Sequence, residues 1–190
     1  WGLGMRLDST ISFPKQMVLG SIQDDQLIYR MGDDIARQCK RLGIQINFAP
    51  VADVNSNPAN PVIGIRSFGE DRDNVTRKSI AYMKGLQHNR IIATAKHFPG
   101  HGDTDADSHF TLPVLTHSLE QLNNTDLYPY REMIADSLMG VLNAHLYIPA
   151  LDNTPNQASS LSDKVVTGLL RKDLGFRGLV FTDAMNMRGV

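Results

Sequence analysis

Asn89-Arg-Ile-Ile-Ala-Thr-Ala-Lys-His97 is the stretch on which the fold turns. A turn signal, Asn89-Arg90, precedes a short apolar, β-branched run, Ile91 to Ala95. That run is too short for a helix and stops at two ionisable side chains, so it reads as a buried strand with a polar C-terminal end. Upstream, Val75, Ile80, Met83 and Leu86 recur at helical spacing, so the strand follows a helix. The pair repeats along the chain. Ile22, Leu27, Ile28, Met31, Ile35, Cys39 and Leu42 predict a helix over 21–42, with Ser21 and Asp24 as a capping box, followed by a strand over 44–51 that closes on a proline. Downstream, Ser118-Leu-Glu-Gln121 is a capping box opening a helical region that Pro129 interrupts before 130–138 resumes it. A strand over 140–146, a helix over 162–173 and a strand over 178–181 complete the pattern.

Short apolar strands alternating with amphipathic helices imply parallel strands joined by right-handed crossovers, in a doubly wound sheet or a barrel. The polar residues choose between them. Each strand ends in ionisable groups: Asp53 after the first, Lys96 and His97 after the second, His145 in the third, Asp183 after the fourth. An open sheet gathers its ligand at one switch point, whereas a (β/α)8 TIM barrel draws site residues from many strand ends. The α/β barrel fits better. Such barrels take about 250 residues, and four strands are read here, so the expectation is a partial barrel.

Composition agrees with a folded chain and narrows the partners. The 190 residues are 42% hydrophobic and 21% charged, with 15 Gly and 9 Pro dispersed rather than clustered. Nineteen basic against 20 acidic residues leave a formal net charge of −1, which gives no field for nucleic acid or an anionic membrane. No apolar run approaches the roughly 18 residues of a spanning helix. The single cysteine, Cys39, falls on the apolar face of its helix and reads as core, and a disulfide within the chain is excluded. The chain opens at Trp1 rather than Met, which reads as processing or truncation.

The chemistry concentrates between Lys96 and His109, where Lys96, His97, His101, Asp103, Asp105, Asp107 and His109 are interleaved with Pro99, Gly100 and Gly102. Three readings compete: a solvated acidic loop with incidental histidines, a metal site, and a proton-transfer dyad. Clustered histidines weigh against the first. The absence of His-x-His, His-Glu-x-x-His and cysteine ligands weighs against the second. In the third, Asp107 orients His109 across one serine and stabilises its imidazolium. Asp183, leaving the last strand, is either a carboxylate nucleophile at a barrel mouth or the N-cap of a following helix, and the residues alone leave both open.

Lys96-His-Phe-Pro-Gly-His-Gly-Asp-Thr104 with Asp107-Ser-His109 resembles the signature of glycoside hydrolase family 3, in its β-N-acetylglucosaminidase (NagZ-like) branch. The resemblance extends through Gly4-Met-Arg-Leu7, Phe13-Pro14, Phe48-Ala-Pro-Val-Ala-Asp53, Arg66-Ser-Phe-Gly69, Asn143-Ala-His145 and Phe181-Thr-Asp-Ala-Met185, and so covers nearly the whole chain. It implies a catalytic TIM-barrel domain over 1–190, here about strands three to six of eight. A further sugar-gripping acid of the family would lie upstream of Trp1. Carried over by motif, Asp183 is the nucleophile, His109 the general acid/base and Asp107 its partner. Lys96, His97, Arg66 and Arg6 bind the sugar, and Asp53 and His145 join that set as orienting groups.

The implied reaction is retaining hydrolysis of terminal GlcNAc from peptidoglycan-derived glycosides through a glycosyl-aspartate, without cofactor or metal. A carbohydrate is the only partner implied, and the oligomeric state is left open. Relatives work in the bacterial cytoplasm, others after export. Alternatives are a family 3 phosphorylase or β-glucosidase-type activity, a metal-dependent barrel hydrolase using His97, His101, His109 and Asp183, and a non-catalytic sugar-binding remnant.

Overall fold

The computed structural model describes residues 2–104 and 112–187. Four parallel strands lie in chain order: β1 (Ile46–Asn47), β2 (Ile92–Phe98), β3 (Gly140–Asn143) and β4 (Leu179–Thr182). Helices α1 (Gln16–Gly20) and α2 (Asp25–Arg41) precede β1, and α3 (Arg72–His88), α4 (Leu119–Gln121), α5 (Tyr128–Ala135) and the π-wound α6 (Lys164–Asp173) lie in the connections between strands. Phe48, just past β1, meets Phe181 of β4 edge-on at 5.1 Å although two strands intervene. The sheet is therefore strongly curled. It is the parallel half-barrel expected of a partial TIM barrel. Among the described residues, no helix is long and apolar enough to cross a membrane.

Local chemistry explains where the elements start and stop. Helix α2 buries Ile28, Met31, Ile35 and Cys39, one stripe at three- and four-residue spacing. Its cap is Asp24, whose carboxylate accepts from Gln26 N at 2.9 Å. Ser21 does not form the expected capping box, because its hydroxyl donates to Val18 O at the end of α1. Asp71 caps α3 by accepting from Asn74 N. Helices α2 and α3 cross at near backbone contact. A Cβ on Gly85 would stand 2.2 Å from Tyr29 O and 2.9 Å from Gly32 Cα, so glycine is what permits the approach.

Ser118 and Gln121 make the predicted capping box. The helix break falls at Leu127, after a π turn over Leu122–Asp126, and Pro129 sits in the first turn of α5, where its missing N–H costs nothing.

The first strand is shorter than the run 44–51. Regular pairing stops at Asn47 because its carbonyl accepts from Ala49 N at 2.8 Å, within its own chain, instead of from β2. The chain nevertheless stays alongside β2: Thr94 N donates to Ala49 O, Lys96 N to Pro50 O and Ala52 N to Lys96 O. Gln16 fastens this extension from the other side, donating to Val51 O at 2.8 Å and accepting from Val51 N at 3.1 Å. All of β3 is buried, and its ladder with β4 continues one residue further through Asp183 N to Asn143 O, 3.0 Å.

Candidate active site

The pairing of β2 with β3 slips between Lys96 and Phe98, leaving His97 as the extra residue of a bulge. A bulge re-aims side chains, here two adjacent ionisable ones at the C-terminal end of the sheet. The backbone N–H of His97, released from the ladder, turns to Asp53 and donates to its carboxylate at 3.1 and 3.2 Å. Asp53 also accepts from His97 Nδ1 at 2.7 Å and from His101 N at 2.8 Å, with its own side chain fully buried. Burial pushes this carboxyl up, but the N–H donors that His97 and His101 aim at it outweigh burial and hold the group below the usual range.

That arrangement fixes the His97 tautomer. Nδ1 donates to Asp53, so Nε2 is left to accept from Arg66 Nη2 at 3.1 Å, since a guanidinium only donates. Arg66 is held in turn by Nη1 on Val62 O, 3.0 Å. Asn60 joins the Arg66 turn to the loop after β2: its amide nitrogen donates to His101 O at 2.7 Å, and its oxygen accepts from Val62 N and Ile63 N. Gly102 closes the same junction, because a Cβ there would lie 1.7 Å from Val54 O. His101 is buried and hydrogen-bonded to Thr104 through Nδ1, and burial lowers its pKa; Nε2 finds no partner among the described residues.

Lys96 and Arg66 line a cavity of ≈ 280 Å³ beside β1, with Phe48, Val51, Cys39 and Tyr82 among its walls. Burial, then the charge of Arg66, lowers the Lys96 ammonium to about 8, while Asp183 and Asp53 pull the other way. The Asp183 charge therefore lies within electrostatic reach of Lys96. Its backbone is pinned by Asn143, and its carboxylate takes no hydrogen bond from the described residues. The segment after it is a turn closed by Met187 N on Ala184 O, and Asp183 caps no helix among the described residues.

His145 is fully buried at the end of β3. Its Nε2 donates to Ala184 O at 3.3 Å, which leaves Nδ1 to accept from the Ser160 hydroxyl at 2.6 Å. Both nitrogens are thus spent on protein, beside Asp183. Asp53 is likewise enclosed, so the two orient neighbours rather than present free atoms to the cavity. Arg6 lies exposed after the turn Leu3–Met5 and joins none of these bonds. Asp107 and His109 lie outside the described residues. Sequence spacing missed Gln16 and Asn60, whose partners lie 35 and 41 positions away. Their burial is a property of the fold rather than of any local motif.

A family model described as the glycosyl hydrolase family 3 N terminal domain matches residues 1–190. The chain belongs to glycosyl hydrolase family 3. Family relatives share the architecture at high identity. The solved structure of a family 3 β-N-acetylglucosaminidase from Paenibacillus sp. str. FPU-7 superposes with a TM-score of 0.94 at 41% identity, over 97% of this chain and 35% of that one. Beta-hexosaminidase A of Pseudoalteromonas piscicida is 39% identical over 196 residues, 96% of this chain and 33% of that protein. NagZ from Neisseria gonorrhoeae, solved with N-trifluoroacetyl-D-glucosamine, gives a TM-score of 0.87 at 32% identity, over 95% of this chain and 54% of that one. The family 3 chain described here spans a third to about half the length of the curated relatives it matches.

Proposed function

We propose that this family 3 domain serves a retaining exo-β-N-acetylglucosaminidase that releases terminal GlcNAc from peptidoglycan-derived or related glycosides. The observation that carries the reading is Asp183: a carboxylate without a hydrogen bond among the described residues, at the end of β4, within electrostatic reach of Lys96. Relatives named beta-hexosaminidase support the sugar.

In this reading the Asp183 carboxylate attacks the anomeric carbon as its bond to the leaving oxygen breaks, and His109 gives that oxygen a proton. The product is a glycosyl ester on Asp183. His109, now neutral, takes a proton from water, whose oxygen displaces the aspartate and regenerates it. Asp107 holds the imidazole. Lys96 and Arg66 grip sugar hydroxyls as donors, with His97 locked between Arg66 and Asp53, and Arg6 adds a further donor from the β1 side. No cofactor or metal enters these steps. The domain runs over 1–190, and its partner is the carbohydrate.

Trapping tests the assignment. A slow 5-fluoro-N-acetylglucosaminyl substrate, followed by peptide mapping, is expected to leave its mass on Asp183, and a label on another residue overturns it. Product analysis in phosphate buffer is expected to yield free GlcNAc. Sugar 1-phosphate as the main product would establish phosphate as the acceptor instead of water.

A further inference from the structure

His117 lies outside the sugar-binding set, yet both of its ring nitrogens are engaged. Nδ1 is 2.7 Å from Asp126 Oδ2 and Nε2 is 2.7 Å from Asp103 Oδ2. The side chain is only 12% exposed. Carboxylates only accept, so both nitrogens donate and the ring is an imidazolium bridging two anions. Asp126 is a fixed post. It ends the π turn before α5, its carboxylate is 1% exposed, and Gly100 packs so tightly on it that a Cβ there would stand 2.6 Å from Asp126 Cβ. Asp103 is the more exposed end, 35% exposed and on the loop that leaves β2. His117 and Asp103 are fourteen positions apart, and the chain between them carries Asp107 and His109.

We propose that His117 is a positioning residue for the proton-transfer dyad, clasping the two feet of the segment that bears Asp107 and His109. The clasp bonds one foot directly to the other through Asp103 and anchors both to the rigid turn before α5 through Asp126. It rests on the reading of His109 as acid/base. The groups facing the ring among the described residues are these two carboxylates. Behind Asp126 stand the Asp53 carboxylate and the buried Tyr130 phenol.

The bond to Asp126 raises the His117 pKa to about 8 against the opposing effect of burial, and Asp103 adds to the rise. Burial raises Asp126, and His117 opposes that rise. A raised histidine stabilises the fold in full below its ordinary 6.5, and that contribution fades as pH rises through about 8.

The test uses the longest natural chain that contains these residues, with kcat/KM measured on phenyl and on 2,4-dinitrophenyl N-acetyl-β-glucosaminides. The first leaving group needs a proton and the second does not, so a defect in acid catalysis appears on phenyl alone. His109→Ala is the reference. H117N and D103N are expected to lose about tenfold on the phenyl glycoside and less than about threefold on the dinitrophenyl one, a smaller copy of the reference pattern. The melting-temperature gap between wild type and H117N is expected to narrow between pH 6.5 and 8 and beyond. Should H117N fail to fold, D103N decides, because its side chain is partly exposed. Equal losses on both glycosides, beside a steep H109A, overturn the clasp and leave the acid/base assignment standing. A flat H109A overturns both.

Discussion

Replacing Asp53 by Asn keeps the side chain's shape but turns one of its two acceptors into a donor, facing N–H groups of His97 and His101 that already donate. The expected cost is about 3 kcal/mol of stability and at least tenfold in kcat/KM, because His97 loses the partner that fixes its tautomer and with it the seat of Arg66. The sign of the pH effect follows from the lowered carboxyl: its contribution is present above the ordinary value of 3.8 and is lost as pH falls through the lower folded value. Melting wild type and D53N side by side should show a constant gap from neutrality to about pH 4, closing only in stronger acid. A gap that closes near neutrality would mean another group controls the network. Asp53 and His97 were legible in the sequence as ionisable residues at strand ends. Their division of labour was not, because it depends on a bulge at His97 that no spacing announces.

Helices and strands were more legible than the side chains that fasten them. The stripe of α2 and the capping box at Ser118 are written in neighbouring residues, so local periodicity finds them. The end of β1 and the true cap of α2 depend on competition between partners. Ala49 N takes the Asn47 carbonyl from the ladder, and Ser21 finds Val18 O instead of the helix start. The crossing of α2 and α3 makes a sharp prediction. Gly85→Ala would push a methyl into the backbone of α2, at 2.2 Å from Tyr29 O, and is expected to cost about 2–3 kcal/mol in chemical denaturation. Gly168→Ala in α6 is the control, since its nearest atom is 3.8 Å away, and is expected to be neutral or mildly stabilising. Equal effects at the two sites would show that propensity, rather than close packing, governs Gly85.

Among the described residues, β1 and β4 are the two margins of the curled sheet, each with a single strand neighbour. Strand β4 is apolar along Leu179, Val180 and Phe181, with Leu179 48% exposed, which is a template for edge-to-edge pairing. The 190-residue piece expressed by itself is therefore expected to associate in light scattering at micromolar concentration, and a monomer that melts cooperatively would refute this. The half-barrel was legible because every strand carries the same polar ending, a pattern that survives without any long-range information. The curl itself needed Phe48 and Phe181 to be seen together.

The strand order β1-β2-β3-β4 also sets a sequence in time. Each strand pairs with the one that precedes it in the chain, so each loop closure spans a single βαβ connection and the sheet can grow in the order in which the ribosome releases it. Asp53, His97 and Arg66 can lock together while β3 and β4 are still unmade. Asp183 is then the last of the described groups of the site to be made, its N–H meeting Asn143 O of β3 while the next carbonyl, Ala184 O, meets His145.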